Sequence, residues 1–149
     1  MKKILNYFKT TLYASSVNEG YARVLVSAFA AQLDPTVEEI ADIKTAVSEA
    51  VTNCIVHAYN GSIGPIIITM KIYDPREFYI EIKDKGQGIP DVCQAMEPLY
   101  TTDRENERSG MGFTIMENFM DSLKVTSTLN KGTKICMSKK LAILPRVQL

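Results

Sequence analysis

Between Pro65 and Lys83 the chain reads PIIITMKIYDPREFYIEIK, with Ile66, Ile68, Met70 and Ile72 at alternate positions of the first half and Phe78, Ile80 and Ile82 at alternate positions of the second. An extended chain turns successive side chains to opposite faces. The spacing therefore predicts two strands, each with one apolar face, joined by a turn at DPRE. Such a hairpin has to be covered on one side, and that requirement limits what the rest of the chain can be.

The covering elements lie before it. NEGYARVLVSAFAAQL, residues 18–33, spaces Tyr21, Val24, Leu25, Ala28 and Phe29 at helical intervals. DPTVEEIADIKTAVSEAVTNCIVHAY then offers Asp34 as N-cap, Pro35 at the first helical position and acids in the opening turn of a second, longer helix. Residues 123–128 and 133–138 read as a second strand pair joined by LNKG, and ILNYFKTTLY as an edge strand. Helices and hairpins are segregated rather than alternating as βαβ units. The expected fold is α+β, a two-layer sandwich with helices on one face of a mixed, mainly antiparallel sheet.

The 149 residues suit one domain over 1–149, and 46% hydrophobic residues with a formal charge of +0 argue against nucleic-acid binding by bulk electrostatics. Cys54, Cys93 and Cys136 form no CxxC pair, so neither a disulfide framework nor a zinc site is indicated and a reducing cytoplasm suits them. The apolar run after Lys2 and Lys3 is interrupted by Asn6 and Lys9, and no stretch is long enough to span a bilayer.

About twenty residues with little periodicity separate Gly88 from Gly110, a length that marks a functional loop in a compact domain. DKGQG, ending at Gly88, precedes the loop, and SGMG, Ser109 to Gly112, follows it at the start of a helix. Glycines allow close approach to the main chain, and a helix N-terminus favours an anion, so phosphate is the expected guest. On the long helix Glu49, Asn53 and His57 recur every four residues, away from the stripe of Val47, Val51, Cys54 and Ala58. Alone, each signal is weak: DxGxG reads first as a turn, and the polar helix positions as a solvated face.

Their order is the stronger signal: a helix with Glu-xxx-Asn, a strand ending in DxGxG, a long loop, GxG opening a helix, then a late strand with GTKI. This resembles the GHKL (Bergerat) ATP-binding family of gyrase, heat-shock chaperone, histidine kinase and mismatch-repair ATPases. SEAVTNCIVHAY and ERSGMGFTIMENFMD look like its branch of anti-sigma serine kinases from endospore-forming bacteria.

The resemblance implies ATP and Mg²⁺ as cofactors, with Asn53 holding the ion, Asp84 accepting a hydrogen bond from the adenine amino group, and Gly86 and Gly88 allowing close approach. It implies a lid over about residues 89–109, with Thr101, Thr102, Arg108, Ser109, Gly110, Met111, Gly112 and Phe113 around the phosphates and Thr133 closing the base end. Glu49 would be the catalytic general base, one helical turn before the metal ligand. The implied partners are a sporulation sigma factor and an anti-anti-sigma factor phosphorylated on serine, with Arg23 at the partner surface and a homodimer as the assembly.

Neither GxxxxGK[ST] nor the HRD and DFG set of other kinases is present, so a different ATP cradle is required. His57, the only histidine, sits within the nucleotide helix and reads as structural rather than as a phosphorylation site. A general-stress anti-sigma kinase, and a sigma-binding module in which ATP is only structural, remain the alternatives.

Overall fold

A computed structural model describes residues 1–97 and 112–143. The described strands are β1 (Ile4–Tyr13), β2 (Pro65–Tyr73), β3 (Glu77–Asp84), β4 (Ser122–Thr128) and β5 (Gly132–Lys140), and the described α-helices are α1 (Val17–Ala30), α2 (Val37–Asn53), α3 (Val92–Ala95) and α4 (Gly112–Phe119). The strands form one sheet in the order β1-β2-β3-β5-β4. All four ladders are antiparallel, so the parallel pairing allowed for by a mixed sheet does not occur among these strands.

Register follows the alternation. Ile68 pairs with Ile82, Met70 with Ile80 and Ile72 with Phe78, and Ile82 and Ile80 continue into Ile135 and Met137 of β5, giving an apolar floor across three strands. All of these residues are buried. The helices lie on that floor: α2 contributes Ile43, Ala46, Val47, Ala50 and Val51, and α4 contributes Met116. Each fully buried Ile or Val of this set stabilises the fold by about 1.5–3 kcal/mol. Lys139 of β5 donates to the Phe119 carbonyl at the end of α4 (2.8 Å) and pairs with Asp42 of α2 (3.4 Å), a cation where the helix dipole favours one. The opposite sheet face is amphipathic, with Tyr73 and Tyr79 edge to face at 6.2 Å and the Lys71 ammonium 5.7 Å from the Tyr79 ring centre.

Three local expectations change. The stripe that α1 turns to the core is Ala22, Val26 and Ala30, not the one containing Tyr21 and Val24, which are 51% and 64% exposed. α1 packs against α2 through small buried residues, Ala22 and Ala30 with Val26 between them, and the bulkier stripe is left outside. The N-cap of α2 is Thr36 rather than Asp34. Thr36 Oγ1 accepts from the Glu39 N–H (3.1 Å) and Glu39 Oε1 accepts from the Thr36 N–H (2.9 Å), a reciprocal box that satisfies two otherwise unpaired donors. Asp34 instead sits in the left-handed region (φ 50°, ψ 57°) at the end of a 3-10 turn, Ala31–Leu33. Third, α2 does not run on to Tyr59, because its last turn, Cys54–Ala58, is wound as a π-helix.

Candidate active site

The site is built where that π turn meets the ends of β3 and β5. Asp84, the last residue of β3, is 5% exposed. Its Oδ1 accepts from the Gly86 N–H (2.9 Å) and the Thr133 N–H (3.2 Å), while the Cys54 thiol donates to Oδ2 at 3.7 Å. Burial raises the carboxyl pKa above the ordinary value, against the pull of the two N–H groups and the thiol. The Cys54 thiol is pushed well up, first by its own burial and then by the neighbouring carboxylate, so it remains a neutral donor. A buried carboxylate whose Oδ2 is met, among the described residues, by a weak thiol donor has acceptor capacity for an amino group.

The loop after Asp84 is held from two sides. The Gln87 N–H donates to the Ala58 carbonyl (2.8 Å) and its side-chain amide to the His57 carbonyl (2.6 Å), while its own carbonyl accepts from the Asn130 N–H (2.7 Å). The Lys85 N–H donates to the Tyr59 hydroxyl (2.8 Å), which itself donates to the Pro65 carbonyl. This explains the glycines. A Cβ on Gly86 would stand 2.1 Å from the Ala58 carbonyl oxygen, and one on Gly88, at φ +77°, 2.4 Å from that of Thr128. Both glycines are required by the protein's own main chain, whatever ligand also approaches.

The second end of the site lies one residue along α2. Gly112 opens α4 directly against the polar side of α2, and a Cβ there would stand 3.3 Å from Glu49 Oε2 and 3.5 Å from Asn53 Oδ1. Glu49 and Asn53 are half-buried rather than solvated, and Phe113 packs against the core. Asn53 leads one way to the polar cleft and Cys54, the next residue, the other way to Asp84. The expected face of Glu49, Asn53 and His57 holds only as far as Asn53, because α-helical spacing ends there. His57 is half-buried and its carbonyl serves the loop.

Among the described residues no cluster of three or more His, Cys, Asp or Glu could hold a metal, whereas the Asn53 amide oxygen is a hard ligand of the kind magnesium takes alongside phosphates and water. Thr101, Thr102, Arg108, Ser109, Gly110 and Met111 lie outside the described residues. Arg23 is not a lone solvated cation, since its guanidinium pairs with Glu19 on the next turn (Nε to Oε1 3.0 Å, Nη2 to Oε2 3.3 Å).

The family described as the histidine kinase-like ATPase domain matches residues 14–139, a span that includes both ends of this site. The chain belongs to that family. Among curated relatives, the anti-sigma F factor of Caldanaerobacter subterraneus subsp. tengcongensis is 58% identical over 134 residues, 90% of this chain and 93% of the relative. That of Clostridium perfringens (strain SM101) is 56% identical over 91% and 97% of the two chains.

Solved structures carry the same fold. The RsbU and RsbW domains of a Mycobacterium tuberculosis protein superpose with a TM-score of 0.69 at 18% identity, over 97% of this chain and 35% of that one. The mycobacterial sensor histidine kinase MprB superposes with a TM-score of 0.58 at 15% identity, over 91% of this chain and 100% of that one. Among the described residues no helix is long and apolar enough to cross a membrane.

Three residues that hold this arrangement escape a reading of motifs: Cys54, Gln87 and Ser127, whose Oγ accepts from the Ile89 N–H. Cys54 belongs to the apolar stripe of α2 and reads as core. Ser127 does leave a trace, as a polar residue on the same strand parity as the half-buried Leu123 and Val125.

Proposed function

We propose that the chain is an ATP-dependent anti-sigma protein that binds a sporulation sigma factor, sigma F, and uses Mg·ATP to phosphorylate a serine of the cognate anti-anti-sigma factor. The observation that carries the catalytic part is the convergence of the Glu49 carboxylate and the Asn53 amide on the opening of α4. Its likeness to anti-sigma F factors, at 54–58% identity, supports the sigma-binding part.

On this reading Asp84 and Thr133 hold the adenine end, and Asn53 holds magnesium. The ion, when bound, offsets the charge of the phosphates. Glu49 receives the proton of the substrate serine hydroxyl as the serine oxygen bonds to the γ-phosphorus. The bond from that phosphorus to the bridging oxygen breaks, and ADP leaves with the electron pair. Half-burial of Glu49 suits a base that must act away from bulk water.

The partner surface is assigned to α1, where Val17, Tyr21 and Val24 are exposed beside Arg23. The homodimer is assigned to β1, an edge strand with Ile4, Leu5, Tyr7 and Tyr13 exposed, since an open apolar edge invites a second strand. The working compartment is the cytoplasm, where a sigma factor and ATP meet.

The test is incubation of the chain with labelled Mg·ATP, sigma F and the anti-anti-sigma factor. Label on a serine of the anti-anti-sigma factor and retention of sigma F are the expected results. Sigma retention without any labelled protein would reduce the chain to a binding module.

A further inference from the structure

Ser127 sits at the crossing of three hydrogen bonds. Its Oγ accepts from the Ile89 N–H (2.8 Å), donates to the Gly132 carbonyl (3.1 Å) and lies 2.8 Å from Thr133 Oγ1. A hydroxyl has one proton and two lone pairs. We assign the proton to the Gly132 carbonyl, which can only accept, whereas Thr133 can donate; with one lone pair filled by Ile89, Thr133 then donates into the second. That uses the one proton Thr133 has.

The consequence lies at the base end. Thr133 is 8% exposed, and its N–H is already given to Asp84 Oδ1 at 3.2 Å. With the protons so assigned, the Asp84 carboxylate and the hydroxyl of Thr133, the residue whose N–H that carboxylate accepts, are both left as acceptors. An acceptor pair attracts an amino group and repels a carbonyl oxygen, and discrimination of this kind is large because the wrong ligand leaves buried polar groups unpaired.

We propose that Ser127 is a specificity-determining positioning residue: by taking the Thr133 proton it fixes that hydroxyl as an acceptor beside Asp84 and so selects a 6-amino purine over a 6-oxo purine. The inference rests on the assignment of Asp84 and Thr133 to the base. Without the Ser127 hydroxyl, Thr133 can turn its proton towards the ligand, and a 6-oxo group then finds a donor.

The experiment is titration calorimetry of Mg·ATP and Mg·ITP, which exchange an amino for an oxo group at the 6-position and with it gain a proton on N1, against the wild type, Ser127→Ala and Ser127→Thr, with the fold of each checked by circular dichroism. Wild type is expected to prefer ATP by at least about 100-fold. Ser127→Ala should bind ATP about 5- to 10-fold more weakly and ITP no worse, so the ratio falls by about an order of magnitude, while Ser127→Thr keeps the wild-type ratio. Should Ser127→Ala not fold, Ser127→Cys, a weak hydrogen-bonding group of similar size, should show the same fall. Equal losses for both nucleotides, or an unchanged ratio in a folded variant, would overturn the role of Ser127 alone. A wild type that does not distinguish ATP from ITP would overturn the base assignment together with it.

Discussion

Gly112 and Glu49 face each other so closely that a Cβ at residue 112 would stand 3.3 Å from the carboxylate Oε2. That distance leaves little slack for a methyl group, and none for a branched side chain without moving Glu49 or Asn53. Gly112→Val should fold, because the position is half-buried and its neighbours there are polar side chains rather than core, but should lose nucleotide. A ligand at 100 times Kd stabilises the native state by about 2.7 kcal/mol, so the wild type should show a clear rise in Tm with Mg·ATP and Gly112→Val should not. A full ATP shift in the variant would remove Gly112 from the phosphate end.

Glu49→Gln keeps the shape and the hydrogen-bonding reach of the side chain but cannot take the serine proton. Phosphorylation of the anti-anti-sigma factor should fall on the order of 10²- to 10⁴-fold, with the Kd for ATP and the retention of sigma F near wild type. Single-turnover rates alongside equilibrium binding check this, and an unchanged rate would take Glu49 out of the chemistry.

Asp84 makes a prediction with two opposite signs. Burial raises its folded pKa, so in the window between the ordinary carboxylate value and that raised value the folded protein binds more proton than the unfolded chain. This group therefore adds stability to the ligand-free protein as pH falls through the window and withdraws it as pH rises. Nucleotide affinity should run the other way if, as proposed, the ionised carboxylate accepts from the amino group. Thermal melts and ATP titrations across mildly acidic pH should show both trends in the wild type and neither in Asp84→Asn.

Thr36→Ala removes one half of the capping box, at a typical cost of about 1 kcal/mol, which for a chain of this length lowers Tm by about 2–4 °C. Desolvation pushes the Glu39 carboxyl up, but the N–H groups of Thr36 and Ala142 and the Thr36 hydroxyl outweigh it and the net shift is downward. The stability it contributes is thus present above the unfolded-state value and lost as pH falls through the lowered folded value. Acid melts of Glu39→Gln should lack that part of the acid limb. ATP affinity should not change, since the box is at the far end of α2 from Asn53.

Arg23→Glu should place two acids in contact where Arg23 and Glu19 now pair. Retention of sigma F and of the anti-anti-sigma factor should weaken while ATP affinity stays at the wild-type value. Loss of ATP binding would instead point to damage that spreads from α1 to α2.

Periodicity revealed the strands and helices because each apolar stripe had a single use: β2, β3, β4, β5 and α2 begin or end within a few residues of where alternation and helical spacing put them. It misled on α1, which carries two stripes, and nothing local says that small Ala22 and Ala30 go inward while Tyr21 and Val24 stay out. Thr36 was hidden by Asp34-Pro35, a stronger cap signal by composition, although Glu39 three residues later is the mark of the box. At the candidate site, the shared helix face of Glu49 and Asn53 was legible through their spacing, and the roles proposed for them and for Asp84 come from the family resemblance. The contacts of Gln87 and Ser127 were not legible, because they are made to carbonyls and hydroxyls brought together only once the sheet and helices have assembled.

The π turn at Cys54–Ala58 makes α2 a ruler. Asn53 and Cys54, neighbours in the chain, face Gly112 and Asp84, the two ends of the proposed ligand site, and each residue along the helix turns the side chain by about 100°. Deleting or inserting a single residue between Glu49 and Cys54 would rotate one end out of place while the other stayed, so no rotation of the helix could restore both. Length changes tolerated by this domain should therefore fall in its loops and strand ends, and this segment of α2 should accept substitutions but not a change of length.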